Sequence, residues 1–92
     1  MTDAEILTDL KQDLQISTTT IDGLLGHIIQ QAKAAITTEG ITLKNDVPDG
    51  QMVKMYAAFL YRRRRTGEAM PRHLRWLMNN RLFSEKAGAS NG

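Results

Sequence analysis

Cysteine is missing from the chain altogether. Disulfides and thiolate metal sites are therefore excluded, which fits a reducing compartment. Histidine is scarce too, with only His27 and His73, and the two fall in separate predicted helices. No HExxH, CxxC, GxSxG or glycine-rich phosphate loop occurs. Acids are scattered over the first half, mostly at solvent-facing helical positions, and no carboxylate pair is indicated. His27 reads as a boundary residue at the rim of an apolar stripe rather than a ligand or base. No catalytic residue, metal, cofactor or small-molecule substrate is expected. The apolar runs fall far short of the roughly 20 residues that span a bilayer. The N-terminus lacks a basic stretch followed by an apolar run, so neither a signal peptide nor a membrane partner is expected.

The chain does hold 92 residues, enough for one modest core. Its charge is unevenly placed. Residues 1–50 carry eight acids against three lysines, a net −5, whereas residues 51–92 carry nine basic residues against Glu68 and Glu85, a net +7. Such a split suggests contact with nucleic acid or head-to-tail association of unlike surfaces. The plainer reading is that the halves fold together and partly neutralise each other.

Apolar periodicity predicts four helices. Ile6, Leu7, Leu10 and Leu14 place the first over 4–14, with Asp3 as N-cap. The threonine-rich Ser17–Thr20 break offers capping chemistry for a second, over 20–39. There, Ile21, Leu24, Leu25, Ile28, Ile29, Ala32, Ala35 and Ile36 fall within an arc of about 140°. Gly40 ends it at C′. Gly23 and Gly26 weaken this helix, either in exchange for close approach of another backbone or simply because they are tolerated. Residues 41–50 form a linker that can tuck Ile41 and Leu43 onto the core. A third helix runs from about Asp49 to Arg65 and stops near Gly67. Pro71 opens the fourth, which extends to about Phe83. The expected fold is an all-α bundle of about four helices, two longer central ones flanked by shorter N- and C-terminal ones. Residues 1–86 make one domain, and the small, polar segment 87–92 is a flexible tail.

The most distinctive feature is Arg62-Arg63-Arg64-Arg65. Four successive helical residues point about 100° apart, so they cannot form one flat patch. Arg63 is in line with Met52, Tyr56 and Phe59 and so belongs to the core side, snorkelling or pairing with an acid. Arg62, Arg64 and Arg65 are left to partners, and Arg72, Arg75 and Arg81 extend the basic half. The plain alternative is a solvated helix end favoured by the helix dipole. The fourth helix is two-sided. Leu74, Leu77, Met78 and Leu82 form one stripe, with Trp76 and Phe83 opposite. Arg72, one turn before Trp76, is spaced for a cation–π contact. The Trp76–Phe83 side suits another subunit, unless the C-terminal tail folds over it.

Taken in order, Leu10-Lys11 to Ile16, Ile21-Asp22 with Leu24-Leu25, Ile28-Ile29, Ala32 and Ile36 form the first part of a longer pattern. Its second part is Asp49, Met52-Val53, Tyr56-Ala57-Ala58, Leu60-Tyr61-Arg62 and Arg64, then Met70-Pro71, Leu74 and Leu77. The pattern resembles the head–tail connector (head-completion adaptor) proteins of tailed bacteriophages over roughly residues 6–83. The resemblance implies a helical virion protein of the neck region that assembles in the host cytoplasm. It implies a ring, commonly of twelve subunits, below the portal. Such a ring extends the channel for packaged DNA and docks the next neck or tail component, without catalysis. On that reading Arg62, Arg64, Arg65, Arg72, Arg75, Trp76 and Phe83 are candidates for the subunit or portal interface or the channel wall. Neighbours could meet through acidic and basic faces.

Two other readings compete. The basic second half permits a DNA-binding regulator or packaging subunit, with Arg72, Arg75, Asn79 and Asn80 after the Met70-Pro71 turn as a weak recognition helix. An inhibitory or scaffolding protein could dock a single partner through the Trp76 side. No sequence feature favours an enzyme.

Overall fold

The computed structural model describes residues 1–91, with side chains placed as far as Ala87. Among these residues there are four helices and no strand: α1 (Asp3–Asp13), α2 (Asp22–Thr38), α3 (Val47–Thr66) and α4 (Arg72–Asn91). The all-α bundle is as expected. One proportion is not, because α4 has 20 residues and equals α3 in length. It continues past the expected end near Phe83, and the segment expected as a flexible tail is helical through Asn91. Gly92 lies outside the described residues.

α1, α2 and α3 pack against one another, and α4 lies on α3 and the α2–α3 link. The core is Ile6 and Leu10 from α1, Leu25, Ile28, Ile29, Ala32 and Ile36 from α2, and Met52, Val53, Tyr56 and Phe59 from α3. Tyr56 and Phe59 meet edge to face at 5.8 Å, a geometry aromatic rings favour. Ile41 from the link is buried and Leu43 is half-buried, as their alternation with Thr42 and Lys44 indicates. Leu74 and Met78 anchor α4. Leu24, on the edge of the predicted α2 stripe, is instead exposed.

Helix ends explain most boundary differences. Thr2, not Asp3, caps α1: its hydroxyl accepts the Glu5 N–H while the Glu5 carboxylate accepts the Thr2 N–H. Asp3 is thereby free to accept from Gln30 and Lys33 of α2. α2 begins at Asp22 with no side-chain cap, so the preceding threonines do not serve it. Asp22 instead pairs with Lys11 at 2.8 Å. α3 starts two residues early because Asp46 caps it, accepting the Asp49 N–H at 3.0 Å, with Pro48 in the first turn. Gly40 (φ +108°) and Gly67 (φ +69°) close α2 and α3 with a positive φ that other residues rarely adopt. A Cβ on Gly40 would also press on Leu82 Cδ2 at 3.3 Å, so the same glycine lets α4 approach. Around Gly23 and Gly26 nothing lies within 4 Å of a Cβ position, so neither accommodates a neighbour within the chain.

Candidate interaction site

The basic half has two kinds of cation. Lys54 pairs with Asp13 at 3.0 Å, Arg75 with Glu39 at 2.9 Å, and Arg81 with Asp49. Each pair joins the acidic half to the basic half, so part of the charge split is neutralised by folding. Arg75, expected to face a partner, is among those engaged. Among the described residues Arg62, Arg64, Arg65 and Arg72 are exposed and have no acid in ion-pair range. These four are among the cations that folding leaves available.

Arg63 corrects the expectation of a core-side arginine. It is exposed, and its guanidinium lies over the Phe59 ring at 5.9 Å rather than against an acid. Its direction is the one helical geometry dictates, since Arg63 follows Phe59 on the same line. What differs is depth: every residue of the last turn of α3, from Arg62 to Thr66, is exposed. There the arginines border two shallow depressions. One, about 560 Å³, lies between Arg62 and Arg65 and the end of α1 at Asp13 to Gln15. The other, about 260 Å³, sets Arg64 and Arg65 beside Leu24 and Tyr61. Cations, a phenol and exposed aliphatic surface together suit a polar, anionic partner surface.

α4 presents its aromatic side outward, as its two-sided pattern indicates. Trp76 is 57% and Phe83 75% exposed. The ring stacked on Trp76 belongs to His73, in place of the expected Arg72 contact: centroids lie 6.1 Å apart with planes at 12°. His27 is exposed on α2.

A residue pair not anticipated from the sequence holds α4 in place. Asp49 is 1% exposed, unlike the solvent-facing acids expected of the first half. Burial disfavours its charge, but donation from Arg81 and from the Lys44 N–H outweighs this and holds its carboxyl below the usual range. The Arg81 guanidinium is correspondingly raised, chiefly by Asp49. Arg81 also donates to the Thr42 carbonyl at 2.8 Å, and the Glu85 carboxylate accepts the Thr42 N–H at 3.0 Å. The first turn of α3, the link and the middle of α4 are thus tied at one polar centre. The signal lies in the pattern of α4. Arg81 sits on the same helical line as Leu74 and Met78, and a charge within an apolar stripe requires a buried partner. Beside this centre a groove of about 670 Å³ separates α3 from α4, lined by Met52, Met55, His73, Leu77 and Asn80.

Among the described residues no group of three or more His, Asp or Glu is placed to hold a metal ion. No described helix is long and apolar enough to cross a membrane. A family model of phage gp6-like head–tail connector proteins matches residues 5–75. The chain belongs to that family. It is therefore a structural connector of the bacteriophage virion, in contact with other head or tail proteins. No curated protein and no solved structure matches the connector. The matched stretch holds α1 from Glu5 onward, α2, α3 and the first residues of α4, including all four arginines at the end of α3. Trp76, Arg81 and Phe83 lie beyond it.

Proposed function

We propose that this connector assembles as a ring, of twelve subunits as is common for such proteins, beneath the portal. There it extends the channel for packaged DNA and presents a docking surface to the next neck or tail component. It does this without catalysis, as a component of the virion neck that is put together in the host cytoplasm. The observation that carries the reading is the family match over residues 5–75. The exposed, unpaired Arg62, Arg64, Arg65 and Arg72 support it, since a surface rich in uncompensated arginine suits an interface with acidic neighbours. Their divergent bearings fit several neighbours better than a single duplex.

Negative-stain imaging of the connector mixed with purified portal tests this. The expected result is rings stacked on the portal. Arg64→Glu with Arg65→Glu should abolish ring formation or portal docking while helix content by circular dichroism stays at the native level, because both side chains are exposed. A double variant that assembles as well as the native protein would remove the arginines from the interface. Native protein that never forms rings on the portal would sink the reading itself. A salt-dependent gel shift by the free monomer would favour the DNA-binding alternative.

A further inference from the structure

Two unoccupied surfaces of this chain complement each other. The first is the outer face of α4. Trp76 and Phe83 stand seven residues apart along one helical line, with exposed Arg72 one turn before Trp76. Two large exposed rings beside a cation form a patch that gains from being covered. The second is a groove of about 440 Å³ between α1 and the first turn of α3. Met1, Ala4 and Val47 supply its apolar surface, and Val47 is 61% exposed. Glu5 and Asp9 line the same groove, four residues apart on α1. Asp3, Asp13 and Asp22 are each matched by a lysine. Glu5 is met instead by the backbone and hydroxyl of Thr2 and, more weakly, by the field of the N-terminal ammonium, and Asp9 by the Gln51 amide at 3.1 Å. Two carboxylates against one ammonium leave the groove negative.

We propose that α4 of one copy docks into the α1–α3 groove of the next, with Trp76 against Val47 and Met1 and Arg72 beside Glu5 and Asp9. The occupant is a second copy because one chain carries both halves of the match. A basic, aromatic ridge and an acidic, apolar groove are satisfied together by head-to-tail repetition, whereas an unlike partner would leave one of them open. The contact is heterologous, so repetition closes a ring or extends a chain. It rests on the connector reading and names the surfaces that the ring would use.

The absence of cysteine makes the test direct. Thr8→Cys lines the groove, and Asn79→Cys flanks the aromatic ridge; both sites are exposed, and neither removes a docking side chain. Mixed in equal amounts and oxidised, the two single variants should yield the disulfide-linked heterodimer well above the twofold excess over each homodimer that random pairing gives, read on a non-reducing gel. Adding Arg72→Glu to the Asn79→Cys chain should lower that yield about tenfold, the effect of turning one interfacial charge pair into a repulsion. Adding Asp9→Lys to the Thr8→Cys chain should restore it. A heterodimer no more than twice as abundant as each homodimer, or a yield unaffected by Arg72→Glu, would overturn the docking. Rings on the portal without this cross-link would overturn the docking alone and leave the connector reading intact. The cross-link in a protein that forms no ring would do the reverse.

Discussion

Asp49 and Arg81 show how much a single buried pair can decide in a small protein. Asp49 has almost no contact with solvent, and its charge is tolerated because the guanidinium and the Lys44 N–H meet it. Arg81→Met keeps the bulk of the side chain but leaves that carboxylate without a cation. The expected cost is about 3 kcal/mol, a large share of the total stability of a domain this size. Asp49→Asn in the same background removes the stranded charge, so the double variant should be less impaired than the sum of the two single changes. A double-mutant cycle by urea unfolding measures this directly. Strictly additive effects would mean that the two side chains stabilise the fold independently.

The helices are readable from periodicity because burial selects one face, and that face repeats in sequence. Their ends depend on competition between neighbouring polar residues, which periodicity does not report. Thr2 and Asp3 could each cap α1. Thr2 prevails because Glu5 stands three positions on and completes the reciprocal pair, leaving Asp3 for Lys33. The end of α4 escapes periodicity for a related reason. Residues after Phe83 are small and polar, the composition of a tail, yet Glu85 bonds the Thr42 N–H, a partner distant in sequence. Arg81 looks like one basic charge among many because nothing local reveals that Asp49 is buried. The arginine cluster itself is plain in the sequence, but which cations are available emerges only once Arg75 and Arg81 are seen to be engaged. The close of α1 carries its own prediction. Gln15 occupies the left-handed region at φ +57°, where the Ile16 N–H reaches the Lys11 carbonyl and the Gln15 N–H that of Gln12. A glycine fits that conformation without a Cβ penalty, partly offset by its greater freedom when unfolded. Gln15→Gly should therefore stabilise the protein by about 0.5–1 kcal/mol, seen as a higher urea midpoint at unchanged slope. A lower midpoint would show that the glutamine side chain contributes more than its backbone costs.

Across the whole molecule, 47 × 27 × 18 Å in extent, α4 is attached through Leu74, Met78, the Arg75–Glu39 pair and the Asp49–Arg81 centre, with its aromatic side left open. That attachment is sensitive to acid, and the direction follows from the carboxylates. Donation from Lys33 lowers Asp3, the Thr2 N–H lowers Glu5, and at Asp49 the donors overcome burial. All three hold protons less readily in the folded chain than in the unfolded one. Their contribution is present in full above the ordinary carboxylate range, near pH 4, and is lost as pH falls through the lower folded values. The native urea midpoint should thus be flat near neutrality and decline from about pH 5 downward. Asp49 is the buried member, so its protonation breaks the tie to α4, while Glu5 loses only an exposed cap. Asp49→Asn should consequently start from a lower midpoint at neutral pH and fall less steeply with acid, whereas Glu5→Gln should keep nearly the native slope. Hydrogen exchange should show α4 amides losing protection before those of α2. Parallel acid limbs for the native protein and Asp49→Asn would instead place the acid sensitivity elsewhere, in the Asp3–Lys33 tie between α1 and α2.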